Sequence, residues 1–478
     1  IWSKMALLIT VGRRGAALAA ARTSSRCFSS SPATSTAAAS SPQSAGGPGA
    51  TTLWRWGCTG HSSFLGNSTS EASKTPSRIE GFNDTTVIAV GSEHAAFVDS
   101  GKLYTYGANK YRQLGRPSRG PKADEDNEPG LVELDVASPI VQLACGAFHT
   151  AALTADGRLF TWGWGGSFFS GCNGLGHGDR KTRETPTEVS KFIEIDDPVK
   201  YVTCGYQQTL ALTASNTVYG CGKGEFGRLG RGHNSDQLEF EEVEYFSTLF
   251  MRPEILKLTT GTNHSIALTK TGELYVWGRN DRGQLGTSDG TGDIYSCEMY
   301  PRHLRSLVLE GIQMADVEAG DDFCVSVSAS GVIYFWGRSV WLEPKPITLN
   351  PQYANAPIKG HVFKVDAGIN YAMAVTEEGE LYSWGKPSSG CLGRDNPKET
   401  IEPVLVPNEL FGGQLVHDVA CGRYRVLAVT RENPNPPPLT QEGDRGASLG
   451  GEEGQDRAAG GGGEIPSSPP PRDKTETA

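Results

Sequence analysis

The 478-residue chain sets 54 acidic side chains against 44 basic ones, for a net charge of −10, and carries 60 glycines. Glycine at that level without a collagen-like period means many turns, no run reaches the ~18 apolar residues of a membrane-spanning helix, and an acidic body is a poor non-specific ligand for nucleic-acid phosphates. The ten cysteines include no CxxC pair, which removes the usual zinc-knuckle and dithiol redox motifs and leaves small buried thiols of a reducing compartment.

Residues 1–50 contain Lys4, Arg13, Arg14, Arg22 and Arg26, abundant Ala and Ser, and no Asp or Glu. That is the composition of a cleavable organelle-targeting leader. Arg26-Cys27-Phe28-Ser29 puts an arginine shortly before an aromatic, as at a mitochondrial processing site. The expected address is mitochondrial, in the matrix or against the inner membrane, with a plastid as the alternative.

From residue 51 to about 430 one pattern recurs, cleanest at Gly261–Gly286, GTNHSIALTKTGELYVWGRNDRGQLG. Ser265–Leu268 and Glu273–Trp277 read as short strands rich in apolar, aromatic and β-branched residues. Gly272 supplies the turn between them, and Gly283-Gln284-Leu285-Gly286 a second glycine-punctuated turn. One glycine series precedes the hairpin: Gly91, Gly146, Gly205, Gly261, Gly320, Gly368 and Gly422. A second ends the aromatic strand: Gly57, Gly107, Gly163, Gly222, Gly278, Gly337 and Gly385. Leu53–Gly57 has no upstream partner and Cys421–Thr430 no downstream one, so together they complete one unit. A unit this small cannot bury its own apolar face, so the copies must stack. The expectation is an all-β, seven-bladed β-propeller over 51–430, closed by N- and C-terminal strands in one shared blade, which leaves only short, protected edges.

Residues 145–163 (CGAFHTAALTADGRLFTWG), 261–278 (GTNHSIALTKTGELYVWG) and 367–385 (AGINYAMAVTEEGELYSWG), with the turns Gln113-Leu114-Gly115, Arg228-Leu229-Gly230 and Gln284-Leu285-Gly286, resemble repeats of the regulator of chromosome condensation family. The resemblance covers about four-fifths of the chain and is specific for fold, whereas one scaffold hosts many activities. For mitochondrial members it implies a non-catalytic scaffold binding protein partners in organellar RNA maturation, ribosome assembly or respiratory-complex biogenesis. The alternative it implies is a guanine-nucleotide exchange factor for a small or dynamin-like GTPase. Photoreceptor relatives use tryptophans just after the anchor glycine; Ala147-Phe148 and Thr262-Asn263 depart from that pattern.

Three departures from the repeat stand out. The unit from Gly320 runs Arg338-Ser339-Val340-Trp341-Leu342 without a Leu-Gly turn, which predicts a trimmed rim. Arg231–Leu258 reads as a long linker between blades. Beyond Arg431 the chain becomes Pro/Gly-rich and acidic over 431–478, a composition that predicts a disordered tail.

No catalytic constellation is present, and no cofactor or metal is expected. His94, His149 and His264 each lie three residues after an anchor glycine, where other copies carry Gln208, Phe323, Tyr371 or Arg425, so they read as repeat-linked framework. Gly222–Gly227 matches GxGxxG but is a blade turn, not a strand-to-helix junction. The expected partner-binding residues are Trp164, Phe168 and Phe169 in the lengthened turn Gly163–Gly176, with Trp341 in the trimmed blade; aromatics at a loop tip are typical anchors. By resemblance, Trp164–Cys172 occupies the place of the nuclear exchange factor's wedge, although its Gly, Ser and Phe residues differ from that factor's polar stretch. A basic patch, Lys110, Arg112, Arg116, Arg119 and Lys122, is the candidate contact for RNA or an acidic partner, with Asp124, Glu125, Asp126 and Glu128 placed to neutralise it. A closed propeller needs no second copy to protect its edges, so the chain is expected to be monomeric.

Overall fold

Strand-forming pairs of short apolar runs joined by glycine turns build the same four-stranded antiparallel sheet seven times. The computed structural model describes residues 50–58, 72–118, 125–287, 297–347, 358, 360–395 and 397–434; the expected leader (1–49 of it) and most of the expected tail lie outside them. Blade 1 runs through Thr85–Val90, His94–Asp99, Lys102–Ala108 and Glu125–Leu131. Blades 2 to 6 begin at Ile140, Val199, Ile255, Met314 and Val362 and end at Glu188, Glu242, His303, Pro346 and Val406. Blade 7 is the shared one: Leu415–Cys421 and Arg425–Arg431 pair onward to Thr51–Cys58 and Ala72–Arg78. Trp54 also donates its indole N–H to the Thr430 hydroxyl across that seam, at 2.8 Å.

Alternation along each strand buries residues between neighbouring blades. Trp56, Trp162, Trp277 and Trp336 are fully buried there, with one cluster of aliphatic and aromatic side chains per blade interface. The innermost strand of every blade carries the same register shift, between Thr85 and Val87 in blade 1 and between Ile255 and Lys257 in blade 4, for example. A bulge of this kind re-aims the side chain it carries. Here Lys257 reaches Asp316 and Glu318 of the next blade, both at 2.6 Å, and Lys364 reaches Asp418, so ion pairs join blade 4 to 5 and blade 6 to 7, while the Val365 N–H donates to Asp316 at 3.2 Å between blades 5 and 6.

The anchor glycines close-pack around the axis. A Cβ on Gly261 would stand 2.2 Å from the Gly320 carbonyl oxygen and 2.4 Å from the His264 ring. Backbone on one side and a buried ring on the other cannot yield, so Gly261→Ala should destabilise by about 3 kcal/mol, read as a lowered urea midpoint at unchanged m-value.

Two expectations change at this level. Arg231–Leu258 is not one long linker: Gln237–Glu242 is the outermost strand of blade 3, Tyr245–Thr248 a short helix, and Ile255 opens blade 4. Only Phe240 of that outer strand is buried, so its polar face hid a strand. The trimmed blade 5 is as expected. Gly337 and Trp341 pair directly, with Arg338 and Ser339 both at positive φ in the tight turn.

Candidate functional site

The anchor-plus-three side chains are framework. Trp162, Trp277, Trp336 and Trp56 donate their indole N–H to the carbonyls of Gln113, Arg228, Gln284 and Cys391, the Leu-Gly turn of the preceding blade, at 2.8–3.1 Å. Thr150 donates its hydroxyl to the same Gln113 oxygen at 2.8 Å. His94 Nε2 then meets the Thr150 hydroxyl at 2.7 Å, His149 Nε2 that of Thr209 at 2.9 Å, and His264 Nε2 the Cys324 sulfur at 3.2 Å. Because Thr150, Thr209 and Cys324 spend their own hydrogens on carbonyls, each imidazole must donate from Nε2. Burial lowers the His94 pKa to about 3, helped by His149 and Arg425, and lowers those of His149 and His264 to about 4. Cys145, Cys172, Cys204, Cys221, Cys297, Cys324, Cys391 and Cys421 are free thiols, and burial pushes Cys204 up to about 12.

The lengthened turn of blade 2 folds into its own small hairpin, Gly166–Ser167 paired with Gly171–Cys172. Gly166 sits at φ +111° against the Gly171 carbonyl, a place no other residue fills. The base is clamped twice. Asp236 of blade 3 accepts from the backbone N–H of Cys172 and of Gly224, both at 3.0 Å. Asn173 donates to the Trp164 carbonyl at 2.8 Å and lies 3.2 Å from His149 Nδ1. On this pinned base Phe168 and Phe169 are 87 % and 96 % exposed, edge to face at 5.6 Å and away from the blade wall.

Beside the hairpin lies a group that the repeat pattern conceals, because its members come from three blades. Tyr111, Phe148 and Trp164 meet pairwise at 4.8–5.5 Å, and Phe148 continues to Tyr206 at 5.4 Å. Arg423 extends the row by stacking over Tyr206 and Tyr424. All occupy connections on one side of the propeller, around the channel mouth lined by the anchor glycines.

The other expected site residues separate. Lys110 is exposed and lies over the Tyr111 ring, and Arg112 is partly exposed with Glu184 at 3.6 Å. Arg119 and Lys122 lie outside the described residues. Arg116 leaves the contact set: its side chain is 5 % exposed, bonded to Asp126 at 2.7 Å and to the Thr105 carbonyl at 2.7 Å. Asp126 neutralises it, as the sequence suggests, but by burying it. Trp341 also belongs to the framework. It is half-buried, edge-on to Phe335 at 5.8 Å, against the cluster that holds Trp384. Blade 5 has no Leu-Gly turn, and the buried Trp384 indole accordingly lacks the carbonyl partner its counterparts have.

Seven four-stranded blades, a tryptophan bonded to the preceding Leu-Gly turn and a glycine-lined mouth define a propeller of the regulator of chromosome condensation type. The RCC1-like domain model matches residues 52–428, and the chain belongs to that family. It is 29% identical over 273 residues to the human E3 ubiquitin-protein ligase HERC2, covering 55% of this chain and 5% of that one. With the Arabidopsis thaliana ultraviolet-B receptor UVR8 it shares 30% identity over 289 residues, 60% of each chain. The chain therefore spans 5% of the first relative's length and 60% of the second's. In fold it matches Prp20p of Saccharomyces cerevisiae, with a TM-score of 0.67 at 20% identity over 81% of this chain and 93% of that one.

Proposed function

We propose that the chain is a non-catalytic binding scaffold, probing a protein partner with the Phe168–Phe169 hairpin and seating it on the aromatic row beside it. The observation that carries this reading is the hairpin itself. Two large apolar rings are held in water by a base pinned to the next blade, an arrangement with a cost in solvation and no return in folding. Exposed aromatics on a rigid support lose little entropy when they dock. The acid-free leader composition supports a mitochondrial setting, and the family resemblance supports partners from organellar RNA maturation, ribosome assembly or respiratory-complex biogenesis.

A second reading is nucleotide exchange on a GTPase. It is favoured by the position of the hairpin at the third Trp-Gly turn and by the fold likeness to Prp20p, a protein described by its binding to Gsp1p and histones. Affinity purification from isolated mitochondria separates the two. Ribosomal, RNA-processing or assembly proteins support the scaffold, and a GTPase held only when nucleotide-free supports exchange. Phe168→Ala with Phe169→Ala should weaken the partner by about 30-fold, the loss of a hot spot, and leave stability within ~0.5 kcal/mol, since neither ring packs on the blades. Unchanged recovery of every partner would remove the hairpin from the site.

A further inference from the structure

The connections at the opposite ends of the strands form a second surface, independent of the hairpin. Its centre is the turn between the second and third strands of blade 3. Asp197, from the connection entering blade 3, accepts from the Ser215 backbone N–H at 3.1 Å and from its hydroxyl at 2.5 Å. Asn216, on the other side, donates to the Pro253 carbonyl and accepts from the Ile255 N–H, both at 2.9 Å. One turn thus ties two inter-blade connections into a single surface.

Each connection buries one side chain and shows others. Phe192 packs inward against Tyr219 and Phe240, and Phe246 against Tyr275 and Trp277. The residues that follow them turn outward. Ile193 and Ile195 are exposed on the first connection; on the second, Phe250 is fully exposed and Met251 is 82 % exposed. The Phe250-Met251 step is not a loose tip. Phe246 and half-buried Leu249 hold it on one side and the Asn216–Pro253 bond on the other. Four large apolar side chains on a locked support exceed the scatter of single exposed residues on ordinary surfaces.

The surrounding charge selects the occupant. Exposed Glu194, Asp196 and Glu244 lie on the two connections, and exposed Glu133 and Asp135 on the one before them, while Glu254 is engaged by Lys270. Lys191 and Arg252 are the opposing bases on these three connections; Lys200, exposed and 3.5 Å from the Asn216 amide oxygen, and Lys270 add two more at their edge, which leaves the carboxylates in excess. We infer that this face docks a basic, apolar segment of a partner protein, its aliphatic or aromatic side chains on Ile193, Ile195, Phe250 and Met251 and its lysines or arginines on the flanking carboxylates. The unbranched Met251 accommodates apolar residues of varied shape, and the acidic border rejects acidic segments. A scaffold with an aromatic hairpin on one side and an acidic-apolar face on the other holds two partners at once.

The test uses the full chain and fluorescein-labelled amphipathic peptides of about 18 residues, one of Leu and Lys and one of Leu and Glu, followed by anisotropy. The Leu/Lys peptide should bind, and the Leu/Glu peptide should not. Phe250→Ser with Met251→Ser should weaken binding at least tenfold, and Glu194→Gln with Asp196→Asn severalfold at low salt, the latter loss shrinking as salt screens the pair. Phe168→Ala with Phe169→Ala should leave the peptide affinity unchanged, which separates a failure here from a failure of the hairpin site. The inference is overturned if the Phe250/Met251 variant binds like the parent or if both peptides bind alike. It is also overturned if the patch mediates a dimer of the chain that the same variant dissolves, or adsorbs the chain to phosphatidylcholine vesicles.

Discussion

Acidification from pH 7 to pH 5 should remove about 3 kcal/mol of folding stability, seen as a falling urea midpoint across pH 7, 6 and 5. The cause is three imidazoles locked neutral. In the unfolded chain a histidine titrates near 6.5, whereas burial holds His94 near 3 and His149 and His264 near 4. A depressed folded pKa means that the stability is present above about 6.5 and is lost as pH falls towards the folded value. At pH 5 the unfolded chain binds about three protons that the folded chain refuses, a slope of about 4 kcal/mol per pH unit. Asp366 works the other way: burial, then Glu318, raise its pKa far above the carboxylate range. It takes up a proton in the folded state first, gains stability on acidification, and cancels about one of the three, which leaves roughly 2.7 kcal/mol per unit near pH 5. Geometry shows why the histidines resist. A proton on Nδ1 would find no acceptor at His94 or His264, and at His149 it would face the Asn173 amide. Replacing all three by Gln, the residue at the same position of blade 3, should remove most of the loss; His177 and His417, whose pKa values burial also lowers, keep a smaller share of it against the Asp366-driven trend. A triple Gln variant with the parent's acid profile would refute the assignment.

The seven blades are legible in the sequence because the two anchor-glycine series recur in every unit, with a Leu-Gly turn in most, and because the two incomplete units at the ends have only each other to complete. Phe168 and Phe169 were legible as an insertion against an otherwise regular period. What lay beyond the sequence is what crosses between blades. Tyr111, Phe148, Trp164 and Tyr206 are scattered over some hundred positions and meet only because four connections of three blades converge at the mouth. Trp341 looked spare because the turn it compensates for is missing from its own blade, while the indole deprived of a partner, Trp384, belongs to the next. The outer strand Gln237–Glu242 is hidden in the sequence because an edge strand with one buried residue has almost no alternation to show.

Arg116→Ala should destabilise the protein by about 3–5 kcal/mol, whereas Arg112→Ala, four positions away in the same turn, should stay within ~0.5 kcal/mol. The sequence offers the two arginines as equivalent members of one basic patch; the fold gives them opposite roles. Strand pairing puts Gly107 opposite Asp126, and the Arg116 side chain threads back beneath that pair. There it bonds Asp126 at 2.7 Å, the Thr105 and Glu128 carbonyls at 2.7 and 3.3 Å, and the Pro117 carbonyl at 3.1 Å. Gly130 makes room for it, since a Cβ there would stand 2.2 Å from the guanidinium carbon. Truncating the arginine takes the cation from the Asp126 carboxylate, itself 7 % exposed and still accepting from the Glu128 N–H at 3.4 Å, and removes a donor from the buried Thr105 carbonyl. Removing both charges should hurt less than removing one, because a buried carboxylate without its cation costs more than the lost attraction. Arg116→Met with Asp126→Leu should therefore recover part of the loss of Arg116→Ala in urea unfolding. If Arg116→Ala and Arg112→Ala prove equally mild, Arg116 is a surface residue after all and returns to the candidate contact patch with Lys110.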